Sequence, residues 1–101
     1  MKKTTFMIIV RLHGIEALQE VIVEEYDENV YYVSPRINLD FRYSYSFYDK
    51  KTGLMVCTGK SKKELINKYN EVKERYTKIR KSKNYKNFIE RYEQLKKEVN
   101  V

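Results

Sequence analysis

The sequence predicts an α+β fold, with an antiparallel sheet of four or five strands over residues 4–58 followed by two C-terminal helices. Three features carry this expectation. Thr4–Leu12 is rich in β-branched and apolar residues, as a strand is, and from Asn38 to Phe47 apolar and polar residues alternate with the period of a half-buried strand. Turn-forming residues interrupt the chain at His13-Gly14, Asp27-Glu28-Asn29, Ser34-Pro35 and Asp49-Lys50-Lys51-Thr52-Gly53. After Ser61 the apolar spacing lengthens from two residues to three and four, the helical period. A chain of 101 residues with 42% apolar content fits one domain, with a sheet region over 1–59 and a basic helical region over 60–101.

The first strand is Thr4–Leu12, where Phe6, Ile8, Val10 and Leu12 alternate with Met7, Ile9 and Arg11. The segment after it supports two readings. Ile15, Leu18, Ile22 and Tyr26 fall at helical spacing, whereas Val21-Ile22-Val23 is β-branched and leads to a hairpin signal at 27–29. The β-branched run favours a strand over residues 20–26, paired with Val30–Val33. From Asn38 onward, Leu39, Phe41, Tyr43, Tyr45 and Phe47 form one face, and Asp40, Arg42, Ser44 and Ser46 form a face expected in solvent. Gly53 suits the positive φ of the following turn, and Leu54–Thr58 returns as the paired strand.

Ser61-Lys62-Lys63-Glu64 has the pattern of a capping box at a helix start. Leu65, Tyr69, Val72, Tyr76 and Ile79 then make one stripe, expected to cover the aromatic sheet face as the main core. Tyr85, Phe88, Tyr92, Leu95 and Val99 make a second stripe, out of phase with the first. Two helices joined at residues 82–84, with Asn84 as N-cap, account for the shift. A single bent helix is the alternative, since neither Pro nor Gly forces the break.

Charge is sorted along the chain. Residues 16–28 hold six acids and no base, while the other 88 residues carry all 21 Lys and Arg against eight acids. Residues 60–101 alone hold 14 bases and six acids. Such a field attracts polyanions to one region and repels them from, or draws a cationic partner to, the other. A single cysteine, Cys57, excludes an intramolecular disulfide, and with one His besides it a cysteine-based zinc cage is excluded as well. No cofactor is expected. The apolar run Phe6–Val10 is too short for a signal peptide or a membrane span, so a protein of a reducing cytoplasm is expected.

The strongest candidate site is the basic tract Lys73, Arg75, Lys78, Arg80, Lys81, Lys83 and Lys86, interrupted by one acid, Glu74. Lysines and arginines near a helix start suit a nucleic-acid backbone, and Tyr76 and Tyr85 could stack on bases unless they belong to the core. The acidic segment, through Glu24, Glu25, Asp27 and Glu28, reads first as an ordinary solvated hairpin, and beyond that as neutralising the basic helices within the monomer, pairing with them in a homodimer, or docking on a cationic partner.

One resemblance adds a further expectation. Tyr48-Asp49-Lys50-Lys51-Thr52-Gly53 and Gly59-Lys60-Ser61-Lys62-Lys63-Glu64 resemble the arm-type DNA-binding domain of tyrosine integrases, over residues 41–72. The resemblance implies a three-stranded sheet packed on one helix, with the exposed sheet face in the DNA major groove. It would place Arg42, Ser44, Ser46, Lys50, Lys51 and Lys60 at the DNA. The chain departs from the family in carrying Ser and Tyr where more bases are usual, and in lacking a Gly-x-Trp opening.

Catalysis finds little support. His13 stands alone at a strand end, Cys57 has no candidate base near it in sequence, and Glu24-Glu25 would point to opposite faces of a strand. Two non-enzymatic classes remain. One contacts nucleic acid or a nucleoprotein complex through the C-terminal helices. The alternative is an inhibitor of a bacterial defence nuclease acting by protein–protein contact, since the short Lys- and Tyr-rich chain resembles phage or mobile-element accessory proteins such as anti-CRISPR inhibitors.

Overall fold

The structure is a computed structural model that describes residues 3–38 and 44–99. Among these residues it contains β1 (Lys3–Leu12), β2 (Ile15–Glu25), β3 (Val30–Val33), β4 (Tyr45–Asp49), β5 (Met55–Gly59), α1 (Lys62–Ile79) and α2 (Lys83–Val99). The strands form an antiparallel meander in the order β1-β2-β3-β4-β5, followed by the two helices. This is the α+β arrangement expected from the sequence.

The segment that supported two readings is a strand along its full length. β2 begins at Ile15 and pairs with β1 from Leu12↔Ile15 to Lys3↔Glu24. A two-residue turn joins them, with φ of 53° at His13 and 81° at Gly14, and this pair of positive angles matches the right-handed twist of a tight hairpin. The helical spacing of Ile15, Leu18 and Ile22 therefore marks no buried stripe, and Ile15 and Ile22 stay exposed. Cross-strand pairing to β1 outweighed the helix propensity of Glu16–Glu20.

β2 pairs with β3 only at Glu24↔Tyr32 and Glu25↔Tyr31. Beyond that point the β1–β2 ribbon is free to fold over the sheet. Ile8, Val21 and Val23 pack with Val33 and Tyr48, and Phe6, Val10 and Tyr31 border them. On the opposite side Val30, Tyr32 and Phe47 pack with Leu65, Tyr69 and Tyr76 of α1. Successive residues of β3 thus feed two cores, as the strand period requires. The strands β3 and β4 lie between the ribbon and α1.

This layering corrects the expected solvated face. Ser46 is 1% exposed, because its neighbour on that face, Tyr48, is covered by the β1–β2 ribbon. The Ser46 hydroxyl instead meets Thr58 Oγ1 across the strand pair. Leu39, Asp40, Phe41, Arg42 and Tyr43 lie outside the described residues, so the strand begins at Tyr45 here. Of the expected aromatic face, Tyr45 and Phe47 are in contact with the α1 core.

Ser61 caps α1, its hydroxyl accepting from the Glu64 amide at 3.1 Å, while the Glu64 carboxylate accepts from the Lys60 amide. α1 closes at Arg80, whose amide reaches the Tyr76 carbonyl, and the tight bonds Lys81 N to Lys78 O and Ser82 N to Ile79 O turn the chain. The helices are separate, and α2 starts at Lys83, so Asn84 lies inside its first turn and not at the cap. The Ile79 end of the first stripe also leaves the core and is half exposed.

Candidate nucleic-acid interface

Two hairpin turns of this chain share one design. Asp27 accepts from the amides of Asn29 (2.7 Å) and Val30 (2.9 Å), and Asp49 accepts from those of Lys51 (2.8 Å) and Thr52 (2.9 Å). Each is an aspartate closing its own turn through the amides two and three residues on. In each case helix tyrosines supply the remaining donors. Tyr69 donates to Asp27 at 2.6 Å. Tyr76 and Tyr85 both donate to Asp49, Tyr85 at 2.9 Å and 3.0 Å to the two carboxylate oxygens.

Asp49 is only 2% exposed, and Arg80 completes its environment. The guanidinium donates through Nε to Asp49 at 3.2 Å and to the Tyr85 hydroxyl at 3.0 Å, and through Nη1 to the Asn29 side chain. Tyr76 also reaches the Asn29 carbonyl, and the Lys50 amide donates to that same carbonyl. One carboxylate therefore ties together the β2–β3 turn, the β4–β5 turn, the end of α1 and the start of α2. Burial alone would raise the Asp49 carboxyl; hydrogen bonds from Tyr76, Tyr85 and the two amides outweigh it and hold the group below its ordinary value. Asp27 is lowered in the same balance, burial opposing and Tyr69 with its two amides prevailing. Burial followed by the bond to Asp49 pushes the Tyr85 hydroxyl up to about 12, so it remains a donor.

A fourth tyrosine pins α2 to the ribbon: Tyr92 donates to the Met7 carbonyl at 2.5 Å. Gly53 is required beneath it. Its φ is 67°, and a Cβ there would come within 2.5 Å of the Tyr92 ring. The tyrosines of the helices are thus core residues whose hydroxyls satisfy the sheet. Tyr76 and Tyr85 are buried and are not base-stacking platforms.

The Asp49 cluster fixes where the basic residues emerge. The side chains of Lys81, Lys83 and Lys86 are exposed at the α1–α2 corner and have no hydrogen bond or ion pair among the described residues. Lys51, on the turn that Asp49 closes, is exposed at the same junction. Lys78 is one turn back, weakly paired to Glu74 at 3.9 Å. The rest of the predicted set is dispersed or engaged. Arg80 is spent on Asp49; Lys50 pairs with Glu25 at 2.5 Å; Lys73 lies over the Tyr69 ring at 5.7 Å; Arg75 lines an apolar groove. Lys60 precedes α1, about 27 Å from the corner by helical rise over its 18 residues. Arg42 is outside the described residues.

The acidic segment is partly consumed inside the molecule. Glu16 pairs with Arg91, Glu25 with Lys50, and Asp27 is held by its turn and Tyr69. Glu28 is exposed and Glu24 partly so. Sequence reasoning found the turn at 49–53 but missed Asp49 as the hub, although the pattern of Asp followed by a Thr-Gly turn was visible.

The remaining candidates stand apart. His13 is exposed at the β1–β2 turn, and burial pushes the Cys57 thiol up to about 11, which keeps it protonated at neutral pH. Among the described residues, no three of His, Cys, Asp and Glu converge so that they could hold a metal ion, and no helix is long and apolar enough to cross a membrane. Comparisons with protein-family models, curated proteins and solved structures found no match.

Proposed function

We propose that this chain is a non-enzymatic protein that contacts nucleic acid through the α1–α2 corner, with Lys81, Lys83 and Lys86 at the centre and Lys78 and Lys51 beside them. One observation carries the reading: Lys81, Lys83, Lys86 and Lys51 are exposed and free of acidic partners among the described residues, on a corner anchored to the sheet by Asp49. A chain of net charge +7 whose acids are partly spent in internal pairs leaves this corner as a concentrated positive surface.

Lysines act as point charges and carry little base information, so the contact is with the phosphate backbone and tolerates sequence. The integrase-like groove contact draws less support, because Ser46 is buried and Lys50 is paired. The inhibitor alternative gains little from the acidic segment, since Glu16, Glu25 and Asp27 are engaged internally. A protein partner would be met on a different surface.

Fluorescence anisotropy tests the reading with labelled random duplex DNA, single-stranded DNA and structured RNA at low and at physiological salt. Sub-micromolar binding persisting at physiological salt is expected for at least one form. Binding that vanishes with salt for all three forms would reject nucleic acid as the direct ligand.

A further inference from the structure

A recess of about 330 Å³ opens where β3, β4 and α1 meet, lined by Tyr32, Ser34, Arg36, Tyr45, Ser61 and Lys62. Among the described residues, two cations and four hydroxyl-bearing side chains line it, and no acid does. It sits at the start of α1, about 27 Å along that helix from the α1–α2 corner. Its parts are fixed by the fold. Ser34 turns the chain after β3: its carbonyl accepts from the amides of Ile37 (3.3 Å) and Asn38 (3.1 Å), and its hydroxyl accepts from the Arg36 amide at 3.1 Å. The Asn38 side chain then bonds the Ile22 amide at 2.8 Å and the Ile22 carbonyl at 2.9 Å. Arg36 is therefore carried on a turn held by β3 on one side and β2 on the other. Lys62, the first residue of α1, lies over the Tyr32 ring with Nζ 4.9 Å from its centroid.

Both cations are uncommitted. The side chains of Arg36 and Lys62 are exposed and have no hydrogen bond or ion pair among the described residues. Beneath them, Tyr32 is 6% exposed and Ser34 8%, so two hydroxyl-bearing side chains are buried in the wall. Burial pushes the Tyr32 hydroxyl up, and it stays protonated. One acid acts from outside the lining. Glu24 stands opposite Tyr32 in the β2–β3 pairing, and its charge opposes that of Arg36 at the Tyr32 hydroxyl. Glu64 is engaged elsewhere, accepting from the Lys60 amide and lying 3.9 Å from Lys68. The local balance is thus two cations against one acid. The capping box already serves the Lys60 and Glu64 amides, so the donors that face an anion here are side chains.

We propose that this recess binds a phosphate monoester, with Arg36 and Lys62 on the phosphate oxygens and the Tyr32 and Ser34 hydroxyls beside them. A group of charge near −2 matches two convergent cations, and the N–H fork of Arg36 suits phosphate oxygens. The volume falls at the low end of small-molecule sites, about 300–1,000 Å³, which leaves room for a small organic group on the phosphate. That group is either the rest of a free nucleotide or the 5′ end of a nucleic-acid strand. The recess shares no residue with the Lys81, Lys83 and Lys86 surface, so it is a second site that holds whether or not the corner binds nucleic acid.

The test titrates the full chain with inorganic phosphate, and then with adenosine 5′-monophosphate, against sodium chloride of equal ionic strength, following amide shifts by NMR. Saturable binding on the order of millimolar is expected, with the shifts concentrated at Ser34, Arg36, Ser61 and Lys62. Arg36→Gln combined with Lys62→Gln should weaken it at least about tenfold, and Glu24→Gln should tighten it. Lys81→Ala, Lys83→Ala and Lys86→Ala together should leave the affinity within about twofold. In that triple-alanine background, a short single strand with a 5′-phosphate is compared with its 5′-hydroxyl form. Preference for the 5′-phosphate that Arg36→Gln/Lys62→Gln abolishes assigns the recess to a strand end; binding of the mononucleotide alone assigns it to a free nucleotide. Arg36 and Lys62 make no internal hydrogen bond or ion pair through their side chains, and far-ultraviolet circular dichroism checks that the variants fold. The proposal is overturned if phosphate and mononucleotide do not saturate, if Arg36→Gln/Lys62→Gln binds them normally, or if Glu24→Gln weakens them. It is also overturned if shifts of equal size appear at Lys81, Lys83 and Lys86, which would mean that phosphate only screens surface charge.

Discussion

Asp27 and Asp49 close their turns in the same way, yet they sit in different surroundings. Asp27 is partly exposed and takes one tyrosine hydroxyl, while Asp49 is buried and takes two tyrosine hydroxyls and a guanidinium. The difference follows from what a buried carboxylate needs. Water can serve the open side of Asp27, whereas each lone pair of Asp49 must find a protein donor. Meeting that demand brings Tyr76, Arg80 and Tyr85 to one point, and this sets the angle between α1 and α2. The display of Lys81, Lys83 and Lys86 is a consequence of the neutralisation of Asp49.

The sharpest way to break this comparison is to remove each carboxylate in turn. Asp49→Ala leaves Arg80, two hydroxyls and two amides without their acceptor, and should cost about 3–5 kcal/mol by urea denaturation. Asp27→Ala should cost about 1–2 kcal/mol, because Asp27 is itself partly exposed and its loss strands one hydroxyl and two amides but no guanidinium. Equal losses would show that the two turns carry the same load, against the account. Removing single hydroxyls refines the scale. Tyr85→Phe and Tyr69→Phe should each cost about 1 kcal/mol, with Tyr85→Phe the larger because it also strips a partner from Arg80.

Acid sharpens the contrast further. Both carboxyls lie below their ordinary 3.8 in the folded chain, so the unfolded chain takes up protons first. The stability they contribute is present at neutral pH and is lost as pH falls below 3.8 towards their folded values. Asp27→Ala should make the loss of stability with falling pH shallower than in the wild type, with the remaining slope due mostly to Asp49. Urea midpoints taken at successive pH values would show it, and an unchanged slope would contradict the role given to Asp27.

Much of the fold was legible because it depends on local pattern. The β-branched, apolar composition of Thr4–Leu12, the turn at 49–53, the cap at Ser61 and the two helical stripes each follow from residues close in sequence. The length of β2 was only partly legible, since Ile15, Leu18 and Ile22 fit both periods and pairing with β1 decides between them. Ser46 was misread for a tertiary reason. Its strand shows an alternating polar face, but the β1–β2 ribbon folds over that face, and no local pattern records it. For the site, the basic tract was visible as composition, but its division was not. Arg80 differs from Lys81 only through Asp49, 31 residues away in sequence. Ile79 reads as core by its place in the first stripe and Phe88 belongs to the second, and the structure leaves both half exposed in an open groove.

The most direct test of the proposed function is the salt dependence of DNA and RNA binding for the wild type and for the variant Lys81→Ala/Lys83→Ala/Lys86→Ala. Neutralising three to four phosphates predicts a log–log slope of about −3 for the wild type. The variant should keep the wild-type urea midpoint, since these side chains make no internal bonds, and its slope should flatten to near zero as affinity is lost. A variant of unchanged stability that retains both the affinity and the slope would contradict the account, placing any nucleic-acid contact away from the α1–α2 corner.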